Sequence, residues 1–360
     1  MVIVPFRFFM VCCALLISAC ATDRGSFSMD DFVRVSKIDV HVHLNSDNPA
    51  LIEQAVADGF RLITVNVDYP DFPPIAKQLE IAQKDHGSYP RTLAYIATFS
   101  LSGWDESHWS DRVIDQLRDS FAKGAVGVKV WKNIGMDFRD KDGQLVMIDD
   151  AKFSPIFEFV RTQNKVLMGH QGEPHNCWLP IDAMTVNNDK EYFREHPQYH
   201  MYLHPELPTY EVQMRVRDRM LDAHPKMKFM GAHMASLEWS LKKLGAFLDR
   251  YPNAVVDVAA RMGQVQFQSN QNLDAVRLFF IKYQDRLLYG TDLTQDPGAD
   301  ASQVKREAHE KWLADWRYLN TGETQRVPEL DAPVHGLALP RDAIQKIYSR
   351  NAERWFGTVW

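Results

Sequence analysis

The chain of 360 residues is 45% hydrophobic and 24% charged, a balance that supports a large buried core and excludes a disordered, collagenous or coiled-coil protein. A formal net charge of −6, with no run rich in Lys and Arg, leaves no basic surplus to neutralise a phosphate backbone. Nucleic-acid binding is set aside on that ground.

The chain opens with an export pattern. Arg7 precedes the apolar run Phe8–Ile17, which is too short to cross a bilayer that needs about 20 apolar residues. Ile17-Ser18-Ala19-Cys20 resembles a bacterial lipobox, in which the peptide is cut before a cysteine that is then acylated. The resemblance implies a lipoprotein signal peptide over residues 1–19 and lipidation at Cys20. Ala21 in place of Asp implies an outer-membrane lipoprotein facing the periplasm, in contact with the membrane only through its lipid. Cys12 and Cys13 leave with the signal, so Cys177 alone remains free and no disulfide within the chain is expected. Residues 20–32 are expected to form a polar tether and residues 33–360 the folded domain.

Beyond the tether, short β-branched runs alternate with longer amphipathic stretches, the mark of parallel βα units. Eight strands are predicted: Ser36–Leu44, Arg61–Val67, Thr92–Phe99, Val126–Trp131, Lys165–His170, Lys228–His233, Ala254–Ala259 and Leu287–Asp292. Helices are predicted over Pro74–Asp85, Ser110–Lys123, Pro208–His224, Leu237–Tyr251, Leu273–Gln284 and Ser302–Asn320. This alternation predicts an α/β fold of the (β/α)₈ TIM-barrel type. A doubly wound sheet is the competitor, but its Gly-rich phosphate turn is absent, with neither GxGxxG nor GxxxxGK[ST] in the chain.

Two insertions interrupt the barrel pattern. Met136–Ile148, centred on Asp142-Gly143, predicts a β-hairpin after strand 4. Gln171–Leu207, rich in His, Pro and aromatics, predicts a long lid-like loop after strand 5. Within it His196, His200 and His204 are spaced by four, but Pro197 and Pro205 break any continuous helix, so they are expected as loop residues rather than a second metal site. Trp312, Trp316 and Leu319 predict a core stripe on the last long helix.

The chemistry is expected at the strand ends. His41-Val42-His43 closes strand 1, and period-two alternation points both imidazoles one way, where they can reach one divalent cation. His170 ends strand 5, His233 ends strand 6 and Asp292 ends strand 8, each behind an apolar run. Any one alone reads as a core histidine or a helix cap, but their shared placement at the C-terminal mouth points to a joint site. Asp39 shares the parity of the His pair and is either an orienting carboxylate or one bonded to barrel backbone. Lys129, flanked by valines, points its stem inward. Arg261, His175, Trp178, Trp131 and Lys132 follow strands 7, 5 and 4 and are expected to line the mouth, the arginine suited to a carboxylate and the tryptophans to an apolar or sugar wall.

With these residues in place, the chain resembles the amidohydrolase superfamily, in the amidohydrolase-related branch that also contains metal-dependent non-oxidative decarboxylases. The resemblance runs from Lys37 to the closing Asn351-Ala352-Glu353-Arg354-Trp355-Phe356-Gly357. It implies His41, His43, His170, His233 and Asp292 around one or two divalent ions, Zn²⁺ foremost, with a water in an open position. It implies Asp292 as the catalytic base and acid, and His233 as a ligand or as the partner of the substrate oxygen. Members with two metals carry a carboxylated lysine on strand 4, so Lys129 is either that bridge or a charged lysine paired with Asp292 or with a substrate carboxylate.

The expected activity is hydrolysis of an amide, ester or lactone of a small molecule by a metal-activated water. Decarboxylation or hydration of a small carboxylic acid is the alternative on the same fold. A surface-binding lipoprotein without turnover is the alternative of another class, against which the retained Asp292 argues. The sequence leaves a homo-oligomer open.

Overall fold

The computed structural model describes residues 25–357, so the expected signal peptide and Cys20 lie outside the described residues. Strands β1 (Lys37–Leu44), β2 (Phe60–Val65), β3 (Leu93–Thr98), β4 (Gly127–Val130), β5 (Val166–Gly169), β6 (Lys228–Gly231), β7 (Ala254–Asp257), β8 (Leu287–Leu288) and β9 (Leu293–Gln295) form one parallel sheet. Its order runs from β8 down through β1 to β9, so the two outermost strands are consecutive in the chain. Strand β1 pairs with β9, and its Val40 amide donates to the Tyr289 carbonyl beside β8, which closes the cylinder.

Each expected strand is present. The eighth is divided: the chain departs from the ladder at Gly290–Asp292 and rejoins it as β9. Gly290 fits closely there, since a Cβ would stand 3.1 Å from the His41 Cβ. The helices expected in order are found at Ile75–Ser88, Trp109–Ala122, Tyr210–Ala223, Leu241–Arg250, Leu273–Lys282 and Ala301–Asn320. Ala50–Ala57, Ser154–Thr162 and Met262–Gln271 are among the helices that the apolar pattern did not single out.

The apolar side chains divide into an inner and an outer layer. Ile38, Val40, Ile63, Val166, Met168 and Leu288 pack together inside the barrel. Val42, Leu62, Val128, Leu167, Val256 and the stripe of Trp312, Trp316 and Leu319 form the layer between sheet and helices. In strand β1 the even-numbered Ile38 and Val40 face in while Val42 faces out, because its register against β2 shifts between Asp39 and Val42. Such a bulge reverses the facing of the side chains on either side of it.

Asp39 therefore points outward, against the parity read from simple alternation. Its carboxylate accepts from the Trp312 indole at 2.9 Å, the Thr291 hydroxyl at 2.5 Å, and the amides of His41 at 3.2 Å and Thr291 at 3.1 Å. It joins the first strand, the β8–β9 junction and the last long helix, and it orients no imidazole. Burial pushes its carboxyl up to about 7, with the Thr291 and Trp312 hydrogen bonds opposing.

The insertions are more ordered, or less regular, than expected. The hairpin is reduced to one antiparallel bridge between Arg139 and Leu145. The lid-like segment is a chain of short helical turns with helix Asn187–Glu195 at its centre, and Cys177, Met184, Phe193 and Met201 give it a small core of its own. The described part of the expected tether is docked rather than free. Phe27 and Phe32 are buried, the Trp316 indole donates to the Ser28 carbonyl, and the Lys37 ammonium, brought down to about 7 by burial, donates to the carbonyls of Phe32 and Val35.

Asp39→Ala leaves its donors unpaired in the core and is expected to cost about 3–5 kcal/mol of unfolding free energy in denaturant titration. A loss below about 1 kcal/mol would mean that the junction does not depend on this carboxylate.

Candidate metal centre

The C-terminal mouth of the barrel holds a cavity of about 400 Å³ whose floor is His41, His43, Lys129, His170, His233 and Asp292. All six residues expected around the metal are brought together there. Their rings touch in sequence: His43 to His41 at 5.3 Å between centroids, His41 to His233 at 4.8 Å, and His233 to His170 at 4.3 Å.

The hydrogen bonds on the far side of each ring fix which nitrogen faces the cavity. His43 Nδ1 lies 2.7 Å from the Val65 carbonyl and His233 Nδ1 lies 2.9 Å from the Ala259 carbonyl. A carbonyl only accepts, so these Nδ1 atoms carry protons and donate, which leaves the Nε2 atoms turned toward the cavity. His41 Nδ1 is held in the same way, 3.0 Å from Asp257 Oδ2. Burial keeps His41, His170 and His233 well below the usual imidazole range, which is the neutral state that ligates a metal.

The Nε2 atoms of His41 and His43 each stand 3.2 Å from the same oxygen, Asp292 Oδ1. Burial disfavours the Asp292 charge, but His41, His233 and His43 outweigh it and hold the carboxyl well below its usual range. Two ring nitrogens and a carboxylate oxygen thus converge on one point, where a divalent cation can take the place of any proton shared between them. His170 Nε2, buried with no hydrogen-bond partner, is a further free donor on the same floor. The donor set fits a divalent metal of the imidazole-and-carboxylate class. A second grouping, His41 with His233 and Asp257, is already occupied by internal hydrogen bonds: Asp257 takes the His41 ring on one oxygen and the His233 amide, at 2.7 Å, on the other. Lys129 reaches this floor, its Nζ 3.4 Å from His41 Nε2, and burial pulls its ammonium down to about 8 against the pull of Asp292 and Asp257.

Backbone strain places two of these groups. By alternation from Met230, which faces inward, His233 would face the helices. Instead His233, Met234, Ala235 and Ser236 all take left-handed φ between 55° and 58°, a turn that swings the ring inward. Each such residue costs about 1–2 kcal/mol. The turn is held by the Tyr210 hydroxyl donating to the Ser236 carbonyl at 2.5 Å and by the Ser236 hydroxyl donating to the Gln171 carbonyl at 2.9 Å. Asp292 lies at φ 69°, between β8 and β9.

Of the expected mouth residues, Arg261, Trp131 and Lys132 line the cavity. Arg261 is buried; its Nη1 donates to the Ala260 carbonyl, while Nε has no partner. His175 and Trp178 do not line it. The chain leaves β5 through Gly172 at φ +73° and turns both under the insertion, where His175 stacks on Trp239 at 4.4 Å and Trp178 donates to the Pro208 carbonyl. His200 and His204 bond the carbonyls of Leu179 and Pro197, as ordinary loop residues.

Several residues escaped the sequence reading. Asp257 had a signal, since it ends strand 7 in step with the inward Val255. Glu173, ion-paired with Lys132, and Tyr69, Phe72 and Tyr192 on the walls had none. They come from loops and from helix Asn187–Glu195, where no period shows which way a side chain points. Asp189 on that helix accepts from Asn176 at 2.7 Å and Gln264 at 3.0 Å, which ties the insertion to the barrel rim.

Residues 103–358 match the family model described as Amidohydrolase, and the chain belongs to that family. This makes it an enzyme of a metal-dependent family with a TIM-barrel fold. Among solved structures it is similar to 2,6-dihydroxybenzoate decarboxylase from Rhizobium, at 17% identity and a TM-score of 0.50 over 89% of this chain and 98% of that one. It is also similar to an uncharacterized TIM-barrel protein from Bordetella bronchiseptica, at 14% identity and a TM-score of 0.50 over 90% and 99% of the two chains. No curated protein matches the sequence.

Asp257→Asn keeps the volume but removes one charged acceptor from behind His41. Metal affinity, measured by competition with a chromophoric chelator, is expected to fall about 10–100-fold with the circular dichroism unchanged. Unchanged affinity would show that the carboxylate does not serve the metal through His41.

Proposed function

We propose that the protein is a metal-dependent hydrolase of small molecules that cleaves an amide, ester or lactone at its carbonyl. The observation that carries this reading is the convergence of His41 Nε2, His43 Nε2 and Asp292 Oδ1, drawn from opposite ends of the chain, on one point. His41, His43, His170, His233 and Asp292 would hold the ion, Zn²⁺ being the proposed identity. When bound, such an ion lowers the pKa of a water toward about 7 and polarises a carbonyl oxygen.

The chain's own groups do the rest. Asp292, ionised and partly open to the cavity, accepts the proton released as the water oxygen bonds to the carbonyl carbon. It returns that proton to the leaving nitrogen or oxygen as the C–N or C–O bond breaks. Arg261, with an unpartnered Nε at the cavity wall, grips a carboxylate of the substrate. Lys129 serves either as a carboxylated bridge or as the ammonium that balances Asp292.

A second reading is favoured by Arg261 together with the aromatic walls of Tyr69, Phe72 and Trp131: decarboxylation of an aromatic acid, the activity named for the Rhizobium protein of similar fold. Turnover of candidate acids, amides and lactones in ¹⁸O-labelled water separates the two. Label in the product acid supports hydrolysis, and unlabelled product with CO₂ release supports decarboxylation. Asp292→Asn is expected to lower kcat about 10²–10⁴-fold; a loss under about fivefold would remove Asp292 from proton transfer.

We further propose export as an outer-membrane lipoprotein anchored at Cys20. Cys20→Ala is expected to abolish labelling by an alkyne-bearing fatty acid and to move the protein out of the membrane fraction. Undiminished labelling would overturn the anchor.

A further inference from the structure

The catalytic cavity does not end at the mouth. A second cavity of about 370 Å³ adjoins it and shares Tyr69, Trp131, Lys132, Glu173 and Tyr192 with it. One wall is a continuous aromatic run leading outward from the proposed metal ligands: His43 to Phe72 at 5.1 Å, Phe72 to Tyr69 at 5.2 Å, and Tyr69 to Trp131 at 4.7 Å. The insertion supplies Tyr192 and Tyr199, whose ring planes are 8° from parallel at 6.5 Å. Met136, Met201 and Leu207 add apolar surface, and thioethers pack well against ring edges; Asn133, Asp137 and Gln198 are the further polar residues of the lining. Where the two cavities meet, Lys132 and Glu173 are ion-paired, the carboxylate 7% exposed and the ammonium 20% exposed.

We propose that the outer cavity is a second substrate subsite that receives a planar aromatic ring, joined by a linker to the group that reacts at the inner floor. The inference rests on the reading of the inner cavity as the place where the reacting group binds. Aromatic faces on both the barrel side and the insertion side favour a flat ring, whose stacking adds to the burial of its area. Asn133, Asp137 and Gln198 also line the cavity and could serve a sugar, but Glu173 is already paired with Lys132, and the aromatic and thioether surface favours a ring. The Lys132–Glu173 pair lies beside the linker, where it can donate to a linker oxygen and accept from a linker N–H. Substrates are thereby chosen for length: a head too close to its ring leaves the outer cavity unfilled.

Binding tests this without turnover. The zinc-loaded protein is titrated by calorimetry with ω-phenylalkanoates from phenylacetate to 8-phenyloctanoate, each against the unbranched alkanoate of equal chain length. The expected result is an optimum at one linker length, where the phenyl acid binds at least about tenfold more tightly than its alkanoate, the order of one good aromatic contact. Tyr199→Ala, in the outer cavity alone, is expected to bring that ratio near one, and Tyr199→Phe to restore it. The ratio is internal to each variant, so a general loss of folding does not imitate the effect. Equal affinities at every length overturn the subsite and leave the inner reading intact. No binding by either series overturns both. Cellobiose binding with the same Tyr199 dependence assigns the cavity to a carbohydrate and overturns the aromatic proposal.

Discussion

The structure turns on the convergence of two imidazoles and a carboxylate. His41 and His43 each spend one ring nitrogen on a hydrogen bond behind the site, so both turn Nε2 to the cavity, and both stand 3.2 Å from the same oxygen of Asp292. A divalent cation bound there would replace any proton shared between the rings and the carboxylate. Lys129, 3.4 Å from His41, is the nearest cation the chain itself can offer, and its own burial makes it a poor one.

Much of the remaining architecture keeps these groups from relaxing apart. Asp257 holds the His41 ring with one oxygen and the His233 backbone with the other, so one buried carboxylate couples strand 1 to the left-handed turn after strand 6. Asp39 performs the corresponding task outside the cylinder, tying the strand that carries His41 to Thr291, one residue before Asp292. Strain at His233 and Asp292 is the conformational cost of aiming side chains that a regular strand would point elsewhere. The docked segment around Phe27 and Phe32 contributes at the other end of the strands, away from the chemistry.

The ladder and the metal floor were legible in the sequence because both follow from periodicity. Apolar runs of strand length located β1 to β8 but not β9, and the polar residue ending a run located His43, His170, His233 and Asp292. Periodicity failed where the backbone departs from it. The register shift in β1 turned Asp39 outward, and the left-handed turn placed His233 inside although its step along the strand pointed out. The division of the eighth strand had only Gly290 as a sign. In the insertion no period operates, so His175 and Trp178 were expected at the mouth and lie beneath it, while Tyr192, Glu173 and Asp189 took the places that face or pin the cavity.

The central claim is that His41, His43 and Asp292 share one cation. Anomalous diffraction from crystals of the metal-loaded protein, recorded on both sides of the zinc edge, tests it most directly. The account predicts a strong peak about 2.0–2.2 Å from His41 Nε2, His43 Nε2 and an oxygen of Asp292. A fully loaded protein with no peak among those three groups, or with its metal bound only elsewhere, would contradict it.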